Sequence, residues 1–363
     1  MGDIIVLHIG CADGDKTAGV SVSIPEYLRF QSLKCQCALL NLANVSYIDF
    51  NCFLYEEYKS IDCLPGIFKN PSIVIFHELY RLPFLRLYKE CIKKNIPYVI
   101  IPHGGLTKKA QSVKRIKKII GNILFFNQYI KKSSYIHFLS KKEKENSIWN
   151  GHNNFVLGNG IDLLDIRQEE IEKESDEFEM LFIGRYDIYF KGLDVLLEAI
   201  STIKSFMIDH GIVLNLYGKG TDSDENFIRT FIKENDLIKI VKFHGPVFDD
   251  EKIRKYCAAD IFIQTSRSEG QPMGILEAMS CCLPVLVTPG TAMAFTVERY
   301  DLGYSVELNA DLIGKKIVEA YENRKNLKKK GSNARQYIVE NFDGKNIAKR
   351  AIEIYEEIVK RNI

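Results

Sequence analysis

The stretch D-I-F-I-Q-T-S-R-S-E-G-Q-P-M-G-I-L-E-A-M-S-C-C-L-P-V-L-V-T-P-G, residues 260–290, decides the fold. Its ends, 260–266 and 284–290, are short apolar runs of the kind found in buried strands, and 273–281 has the spacing of a helix. Pro272 suits the first helical turn, where its missing N–H costs nothing. Two strands joined through a helix run parallel. This stretch therefore predicts a parallel sheet covered by helices.

The same alternation of strand and helix runs through the whole chain. A dense polar, acidic run at 168–179 interrupts it and then the pattern restarts, as at a boundary between domains. Strands are predicted at 4–10, 72–77, 98–104, 134–140, 154–160, 179–185, 213–220, 240–247, 260–266 and 284–290. Helices are predicted at 81–95, 191–207, 223–235, 273–281 and from 311 onward. We expect two Rossmann-like, doubly wound α/β domains, 1–167 and 168–345, facing each other across a cleft.

The composition restricts the class of protein. The chain has 363 residues, 46% of them apolar, and a net charge of +2, which argues against nucleic acid as a partner. Nine cysteines without a CxxC pair favour reduced thiols over zinc ligands or disulfides. The chain has neither a signal peptide pattern nor an apolar run of about 18 residues. We therefore expect a cytoplasmic protein.

The loop and helix at 266–280 form the strongest candidate site. Glu269 and Gly270 follow a predicted strand, and Met273 and Gly274 begin a helix, where free backbone N–H groups bind anions. Glu277 lies about one turn further on. A wholly helical spacing of eight residues spans about 12 Å, more than the roughly 5–9.5 Å between the two carboxylates of a glycosidase. The two glutamates are therefore expected to hold different parts of one long ligand with an anion between them. The alternative is two ordinary helix glutamates.

Cations and a histidine follow other predicted strands. Gly184 and Arg185 end one strand, and Lys191 opens the next helix, an arrangement suited to a diphosphate; two solvated surface cations are the alternative. His103 follows another strand, where a structural histidine is as plausible as a functional one. Gly19 precedes a predicted helix and is a weak candidate for a phosphate-binding loop.

Taken together, these motifs resemble family 4 of the retaining glycosyltransferases, which have the GT-B fold. The resemblance spans most of the chain and is weakest at 20–95. Its most specific part is the E-x7-E signature, E-G-x-P-x-x-x-L-E-A-M at 269–279. The other matching motifs are the glycine near Gly19, P-H-G at 102–104, N-G-I-D at 159–162, G-R…K-G at 184–192, Y-G-K-G at 217–220 and F-H-G at 243–245.

The resemblance implies a role for each candidate residue. Arg185 and Lys191 would grip the donor diphosphate, and Glu269 would contact the transferred sugar. Glu277 would hold the ribose, and His103 would lie near the reacting sugar. The remaining donor-binding candidates are Gly19, Gly184, Gly270, Met273 and Gly274. The family needs no metal or other cofactor, its reaction occurs on one face of the sugar, and its C-terminal helix (here 346–363) tends to cross back to the first domain.

The expected function is transfer of a hexose or N-acetylhexosamine with retention of configuration. The donor would be a nucleotide-diphosphate sugar, UDP in preference to GDP, and the acceptor a glycan or a polyprenyl-diphosphate-linked glycan in surface polysaccharide synthesis. Two alternatives remain: a UDP-sugar 2-epimerase with the same architecture, and a non-catalytic subunit of similar fold. A nicotinamide-dependent dehydrogenase fits worse, because the first strand is followed by no G-x-G-x-x-G.

Residues 108–132 combine basic and apolar residues. This basic apolar segment contains eight Lys or Arg and no acidic residue, interleaved with isoleucine, leucine and phenylalanine. Such a pattern suits the surface of an anionic membrane. A helix that packs its apolar side into the domain is the alternative. On the first interpretation the protein would be peripheral on the inner face of the cell membrane.

Overall fold

A computed structural model describes residues 4–15, 19–113, 115–163, 176–269 and 271–362. The chain forms two compact units. The first unit comprises Met1–Ile161 together with Asp343–Ile363, and the second comprises Asp162–Phe342. The domain boundary predicted at 168 falls within 164–175, outside the described residues.

The first unit is built on a seven-stranded parallel sheet. Its strands are β1 (Ile5–Gly10), β2 (Gln36–Asn41), β3 (Asn51–Leu54), β4 (Ile73–His77), β5 (Tyr98–Ile101), β6 (Tyr135–Phe138) and β7 (Asn154–Val156). Their order across the sheet is β3-β2-β1-β4-β5-β6-β7. Every residue of β4 and β5 is buried, because helices cover both faces of a parallel sheet.

Six α-helices lie between these strands in the part of the chain that the structure describes. They are α1 (Gly19–Ser32), α2 (Leu82–Lys93), α3 (Lys108–Ser112), α4 (Arg115–Gly121), α5 (Asn127–Lys131) and α6 (Lys141–Asn146). A single π-helical turn, Asn122–Phe126, joins α4 to α5. Helix α2 begins with Pro83 in its first turn and buries Phe84, Leu87, Tyr88 and Cys91.

The second unit repeats this plan with six parallel strands. They are β8 (Phe178–Ile183), β9 (Ile212–Tyr217), β10 (Val241–His244), β11 (Ile261–Gln264), β12 (Val285–Val287) and β13 (Gly303–Ser305), in the order β10-β9-β8-β11-β12-β13. The helices are α7 (Ile188–Lys191), α8 (Leu193–Thr202), α9 (Lys204–Asp209), α10 (Asp222–Glu234), α11 (Asp249–Ala258), α12 (Met273–Ser280), α13 (Ala294–Arg299), α14 (Ala310–Glu322) and α15 (Leu327–Phe342).

The last helix, α16 (Gly344–Asn362), packs in the first unit. It buries Ile347, Ala351, Ile352, Tyr355 and Ile358 in the same core as Ile24 and Leu28 of α1. Gly344 permits the contact, because a β-carbon there would collide with the ring of Phe30. None of the helices in the described ranges combines the length and apolar content needed to cross a bilayer.

The predicted α/β class with two doubly wound domains is confirmed by these sheets. Each predicted strand overlaps an observed one, although β8 and β9 each begin one residue earlier than predicted, whereas β2, β3 and β13 were not predicted. The single helix predicted at 191–207 is wrong: α8 ends at Thr202 and α9 starts at Lys204, with Ile203 between them.

Candidate functional site

The candidate site of the second unit lies where the strand order reverses. β8 is the first strand of this sheet in sequence, and it lies between β9 and β11. In such sheets, ligands bind beyond the carboxyl ends of the two strands at the reversal. Gly184 and Arg185 follow β8, and the loop that contains Glu269 follows β11. The topology of the sheet therefore places the predicted residues at the edge where a ligand is expected.

A cluster of three donors surrounds one oxygen of Glu269. Its Oε1 lies 2.7 Å from Lys191 Nζ. The same oxygen accepts hydrogen bonds from Ser266 Oγ at 2.6 Å and from Gln264 Nε2 at 2.8 Å. The backbone N–H of Glu269 donates to the Gly290 carbonyl at 3.0 Å. Both the carboxylate and the loop that carries it are therefore held in place.

Lys191 reaches this cluster because of a sharp turn at Gly192. Lys191 is the last residue of α7, and Gly192 adopts a left-handed conformation with φ 66° before α8 begins. Thr265 Oγ1 donates to the Gly192 carbonyl at 3.1 Å. A β-carbon on Gly192 would collide with the Thr265 carbonyl oxygen. A β-carbon on Gly184 would lie 4.0 Å from Lys191 Cε, so both glycines border the lysine's path.

Arg185 belongs to a separate ion pair. Its Nη2 lies 3.1 Å from Asp187 Oδ2, and its side chain is 58% exposed. The other carboxylate oxygen of Asp187 accepts from the backbone N–H of Phe190 at 2.9 Å and so caps α7. The two predicted cations therefore follow the same strand, but each is paired with a different carboxylate.

The start of α12 differs from the prediction. The backbone N–H of Met273, predicted to be free, donates to the Gln271 carbonyl at 3.0 Å. The loop tightens just before the helix and satisfies this donor. A β-carbon on Gly274 would lie 3.3 Å from the Ile183 carbonyl oxygen, so the glycine lets α12 approach the end of β8. Gly270 lies outside the described residues.

The carboxylate of Glu277 is held by two side chains of helix α11. Its Oε2 lies 2.6 Å from Lys252 Nζ and accepts from Tyr256 Oη at 2.9 Å. Tyr256 is buried, and burial raises its pKa well above the usual value, followed by the nearby charge of Glu277. The tyrosine therefore remains a hydrogen-bond donor at neutral pH.

Sequence reasoning missed the partners of both glutamates. Gln264 and Ser266 are fully or almost fully buried polar residues at the end of an otherwise apolar strand, and a buried polar side chain needs a partner. That signal was available in the sequence. Lys252 and Tyr256 give no comparable signal, because only the packing of α11 brings them to Glu277.

His103 of the first unit lies just beyond β5 in a strained backbone conformation with φ 47°. Its Nε2 is 3.2 Å from His77 Nδ1. Burial lowers the pKa of His103 to about 3, with a further contribution from His137. The next residue, Gly104, donates its N–H at 2.5 Å to the buried carboxylate of Glu143. His103 is therefore neutral at pH 7 and rigidly supported.

Gly19 is the first residue of α1 and is exposed. A β-carbon there would meet no atom within 4 Å, so the structure leaves open space at this helix start. Gly19 is thus the one predicted site residue for which no protein packing within the described ranges explains a glycine.

The basic apolar segment exposes most of its apolar side chains. Ile116 is 76% exposed, Ile123 68% and Leu124 61%. Phe126, in contrast, packs into the core of the first unit. The inward-packing alternative therefore holds only for the C-terminal part of the segment.

Within the described residues, no group of three or more His, Cys, Asp or Glu side chains is placed to hold a metal ion.

Comparisons with known proteins show what this chain is similar to in sequence. Residues 165–337 match the family described as glycosyl transferases group 1. The chain is 25% identical over 337 residues to an uncharacterized glycosyltransferase of Methanocaldococcus jannaschii, covering 82% of this chain and 81% of that protein. It is 31% identical to a phosphatidyl-myo-inositol mannosyltransferase of Propionibacterium freudenreichii, over 38% of this chain and 33% of the relative.

Among solved structures, the Anabaena protein HepE in complex with UDP has a similar fold. The TM-score is 0.74 at 16% sequence identity, covering 98% of this chain and 100% of the other. The two sheets and the likeness to these solved structures together identify a GT-B fold.

Proposed function

We propose that the protein is a retaining glycosyltransferase that uses a nucleotide-diphosphate sugar without a metal ion. The transferred sugar is a hexose or N-acetylhexosamine, and the acceptor is a glycan or a polyprenyl-diphosphate-linked glycan in surface polysaccharide synthesis. UDP is preferred to GDP as the nucleotide. The UDP-bound Anabaena protein of similar fold supports this choice of nucleotide.

The observation that carries the proposal is the Lys191–Glu269 pair at the strand-order reversal. Glu269 Oε1 accepts three hydrogen bonds, whereas no hydrogen bond to its Oε2 occurs among the described residues. In the proposed function, Oε2 accepts a hydrogen bond from a hydroxyl of the transferred sugar. Lys191 then faces the diphosphate and neutralises the negative charge that develops on the departing nucleotide.

The other predicted residues have supporting roles. Arg185 is exposed enough to exchange Asp187 for the diphosphate. Glu277, already oriented by Tyr256 and Lys252, has its Oε1 available for the two ribose hydroxyls. The amide of Gly274 and the backbone at Gly184 line the diphosphate. Gly19 and His103 lie on the first unit and contact the diphosphate and the sugar, respectively.

The proposed reaction breaks the bond between the sugar's anomeric carbon and the nucleotide oxygen. A new bond to the acceptor hydroxyl forms on the same face, and the acceptor proton moves to the departing phosphate. Retention follows because both bonds lie on one face. In this proposed reaction the departing phosphate takes the proton, so neither a separate base nor a metal ion is needed.

Release of nucleotide from a panel of UDP-, GDP-, ADP- and CMP-sugars tests the function. The assay contains crude lipid-linked acceptor and uses Lys191→Ala as its control. We expect release from a UDP-sugar that the substitution abolishes. A sugar converted without nucleotide release would instead establish the epimerase. Absence of both release and nucleotide binding would establish the non-catalytic subunit.

The second part of the proposal concerns the exposed half of the basic apolar segment. Within 113–125, seven large apolar side chains are 46–76% exposed, and the basic side chains of Arg115 and Lys117 are also exposed. Apolar side chains flanked by cations fit the headgroup region of an anionic bilayer. Here the segment holds the protein on the inner membrane face, where lipid-linked acceptors are located.

Sedimentation with lipid vesicles tests this surface. We expect the protein to bind vesicles containing phosphatidylglycerol at low salt and not vesicles of phosphatidylcholine alone. Ile123→Ser with Leu124→Ser, and separately Arg115→Glu with Lys117→Glu, should each weaken binding at least about tenfold. Ile48→Ser is the matched control, because Ile48 is 98% exposed elsewhere in the same unit. Unchanged binding in both double variants would contradict the proposal.

A further inference from the structure

Four of the seven histidines lie in, or just after, adjacent strands of the first sheet. His8 lies in β1, His77 ends β4, His103 follows β5 and His137 lies in β6. Three of them form a continuous chain of hydrogen bonds. His8 Nδ1 is 2.9 Å from His77 Nε2, and His77 Nδ1 is 3.2 Å from His103 Nε2.

The inner end of the chain is closed by Gln31 of α1. Its Oε1 is 3.0 Å from His8 Nε2. Gln31 and His8 have no exposed surface, and His77 is 2% exposed. His103 is only partly buried. It is therefore the end of the hydrogen-bonded histidine series that a ligand can reach.

All three rings are neutral at pH 7. Burial lowers the pKa of His8 to about 4 and that of His103 to about 3, and it lowers the pKa of His77 well below its usual value. A neutral imidazole has one N–H and one lone pair. In a chain of such rings, the direction of one hydrogen bond therefore fixes the direction of all the others.

The amide oxygen of Gln31 sets that direction. Because this oxygen can only accept, His8 donates from Nε2 and presents a lone pair at Nδ1. His77 then donates from Nε2 to His8, and His103 donates from Nε2 to His77. The lone pair of His103 remains on Nδ1. Rotating the Gln31 amide by 180° would place its NH₂ group against His8 and reverse every bond.

We propose that Gln31, His8 and His77 are positioning residues that hold His103 in the Nε2–H tautomer, so that its Nδ1 accepts a hydrogen bond from a hydroxyl group of the bound sugar. The identity of this ligand rests on the proposed transferase function. The tautomer itself rests on the contacts of the first unit and on the orientation of the Gln31 amide, and not on the enzyme's activity. A site of this kind selects a hydroxyl, which donates, and rejects a carbonyl or carboxylate oxygen, which cannot.

Nitrogen NMR of the histidine side chains in the full-length protein tests the tautomer directly. The His103 signals are assigned by their loss in His103→Gln. We expect Nδ1 of His103 to be unprotonated and Nε2 to carry the proton at pH 7. A protonated Nδ1 would show that the chain runs in the opposite direction and would overturn the proposal, whatever the enzyme's activity.

Two variants test whether the hydrogen bonds from Gln31 through His8 and His77 (the histidine relay) fix the His103 tautomer, and one variant serves as the control. Gln31→Leu removes the terminal acceptor, and His77→Phe interrupts the chain; in each, His103 should populate both tautomers. His137→Phe is the matched control: His137 is equally buried on the next strand, but it bonds to the Leu157 carbonyl instead. It should leave the His103 tautomer unchanged. Circular dichroism establishes which variants are folded. If only one of Gln31→Leu and His77→Phe folds, that variant alone is enough to test the role of the hydrogen-bonded histidines.

Steady-state kinetics with the donor found in the nucleotide-release panel provide the second readout. A hydrogen bond to a non-reacting hydroxyl forms equally in the ground state and the transition state, so its loss raises KM and leaves kcat unchanged. We expect about a tenfold rise in the donor KM for Gln31→Leu and His77→Phe, and none for His137→Phe. If the Nε2–H tautomer is fixed but the protein transfers no sugar, the proposed transferase function is wrong and the proposed role of Gln31, His8 and His77 in fixing the tautomer stands. A relay variant with two tautomers and an unchanged KM would refute the contact with the sugar.

Discussion

At the scale of single residues, Glu269 has its protein contacts concentrated on one oxygen. Lys191, Gln264 and Ser266 all donate to Oε1. The carboxylate is 14% exposed and the lysine 21%, so water screens this pair only in part. Removing either charge leaves its partner partly buried and uncompensated. Contacts within the protein therefore hold this oxygen and the lysine in place.

We expect Lys191→Ala and Glu269→Ala each to lower turnover at least about 10²-fold, which corresponds to roughly 2.7 kcal/mol of transition-state stabilisation. The measurement is kcat for nucleotide release with the preferred donor. Lys204→Ala is the matched control, since Lys204 pairs with Asp236 at the same 2.7 Å distance elsewhere in the second unit. Rates like those of the wild type in both site variants would remove the site assignment.

The buried histidines make the first unit sensitive to acid. The pKa of His8 and that of His137 are each lowered to about 4, mainly by burial, against 6.5 in an unfolded chain. Between pH 6.5 and 4, the unfolded state binds protons that the folded state does not. The free energy of unfolding therefore falls as the pH falls through this window, by about 3 kcal/mol for each histidine.

Urea denaturation followed by tryptophan fluorescence measures this loss. Trp149 is the chain's single tryptophan and lies in the first unit, so its signal reports on that unit. We expect the free energy of unfolding to decrease between pH 7 and pH 5. In His137→Gln, which retains a donor for the Leu157 carbonyl, the slope should be shallower by at most about 1.4 kcal/mol per pH unit. Equal slopes in the two proteins would contradict the assignment.

At the scale of secondary structure, the junction between α7 and α8 positions the lysine of the site. Gly192 has φ 66°, and the Thr265 carbonyl oxygen occupies the space where a β-carbon would lie. Gly211, before β9, has a similar φ of 62°, but a β-carbon there would meet nothing within 4 Å. The two glycines therefore share their backbone conformation and differ in their surroundings.

We expect Gly211→Ala to lower the free energy of unfolding by about 1 kcal/mol, the cost of a left-handed alanine. Gly192→Ala should cost at least about 2 kcal/mol, because the backbone must also move away from Thr265. It should also weaken nucleotide binding, since Lys191 is adjacent. Urea denaturation followed by circular dichroism and nucleotide titration measure the two effects. Equal losses of stability would show that the contact with Thr265 is unimportant.

The strands that position the site could be predicted because both faces of a parallel sheet are buried. β4, β5 and β11 are continuous apolar runs that stand out in the sequence. β13 has the sequence G-Y-S and β3 the sequence N-C-F-L, so neither is a long continuous apolar run. β2 is largely buried, yet its sequence was not predicted to form a strand.

The candidate site was predictable to the level of its loops. Glycines and charged residues after strands located Gly184, Lys191 and Glu269. The hydrogen bonds of Ser266 and Gln264 to Glu269 depend on side-chain directions at the end of β11, which spacing does not encode. The bond from Met273 to the Gln271 carbonyl likewise depends on the local path of the loop.

At the scale of the whole molecule, the first unit is discontinuous in sequence. Ile347 of α16 is 3% exposed and packs in the same core as Ile24 and Leu28. Its side chain thus stabilises a sheet whose strands lie between residues 5 and 156, on the far side of the second unit in sequence.

We expect Ile347→Ala to destabilise the first unit by about 2–5 kcal/mol, as for other large-to-small changes in a core. The Trp149 transition should move to lower urea, whereas the transition of the second unit should not shift. Leu312→Ala on α14 is the control, because Leu312 is 44% exposed. A shift of both transitions by Ile347→Ala would mean that the two units do not unfold independently.

The position of α16 also determines the order in which the units can be completed during synthesis. The strands of the first sheet are synthesised early, but the helix that covers part of its core is synthesised only after the second unit. At about 5–20 residues per second, the intervening second unit takes roughly 10–35 s to synthesise. During that interval the apolar surface destined for α16 has no partner within its own chain. The nascent first unit therefore exposes this apolar surface until α16 has been synthesised.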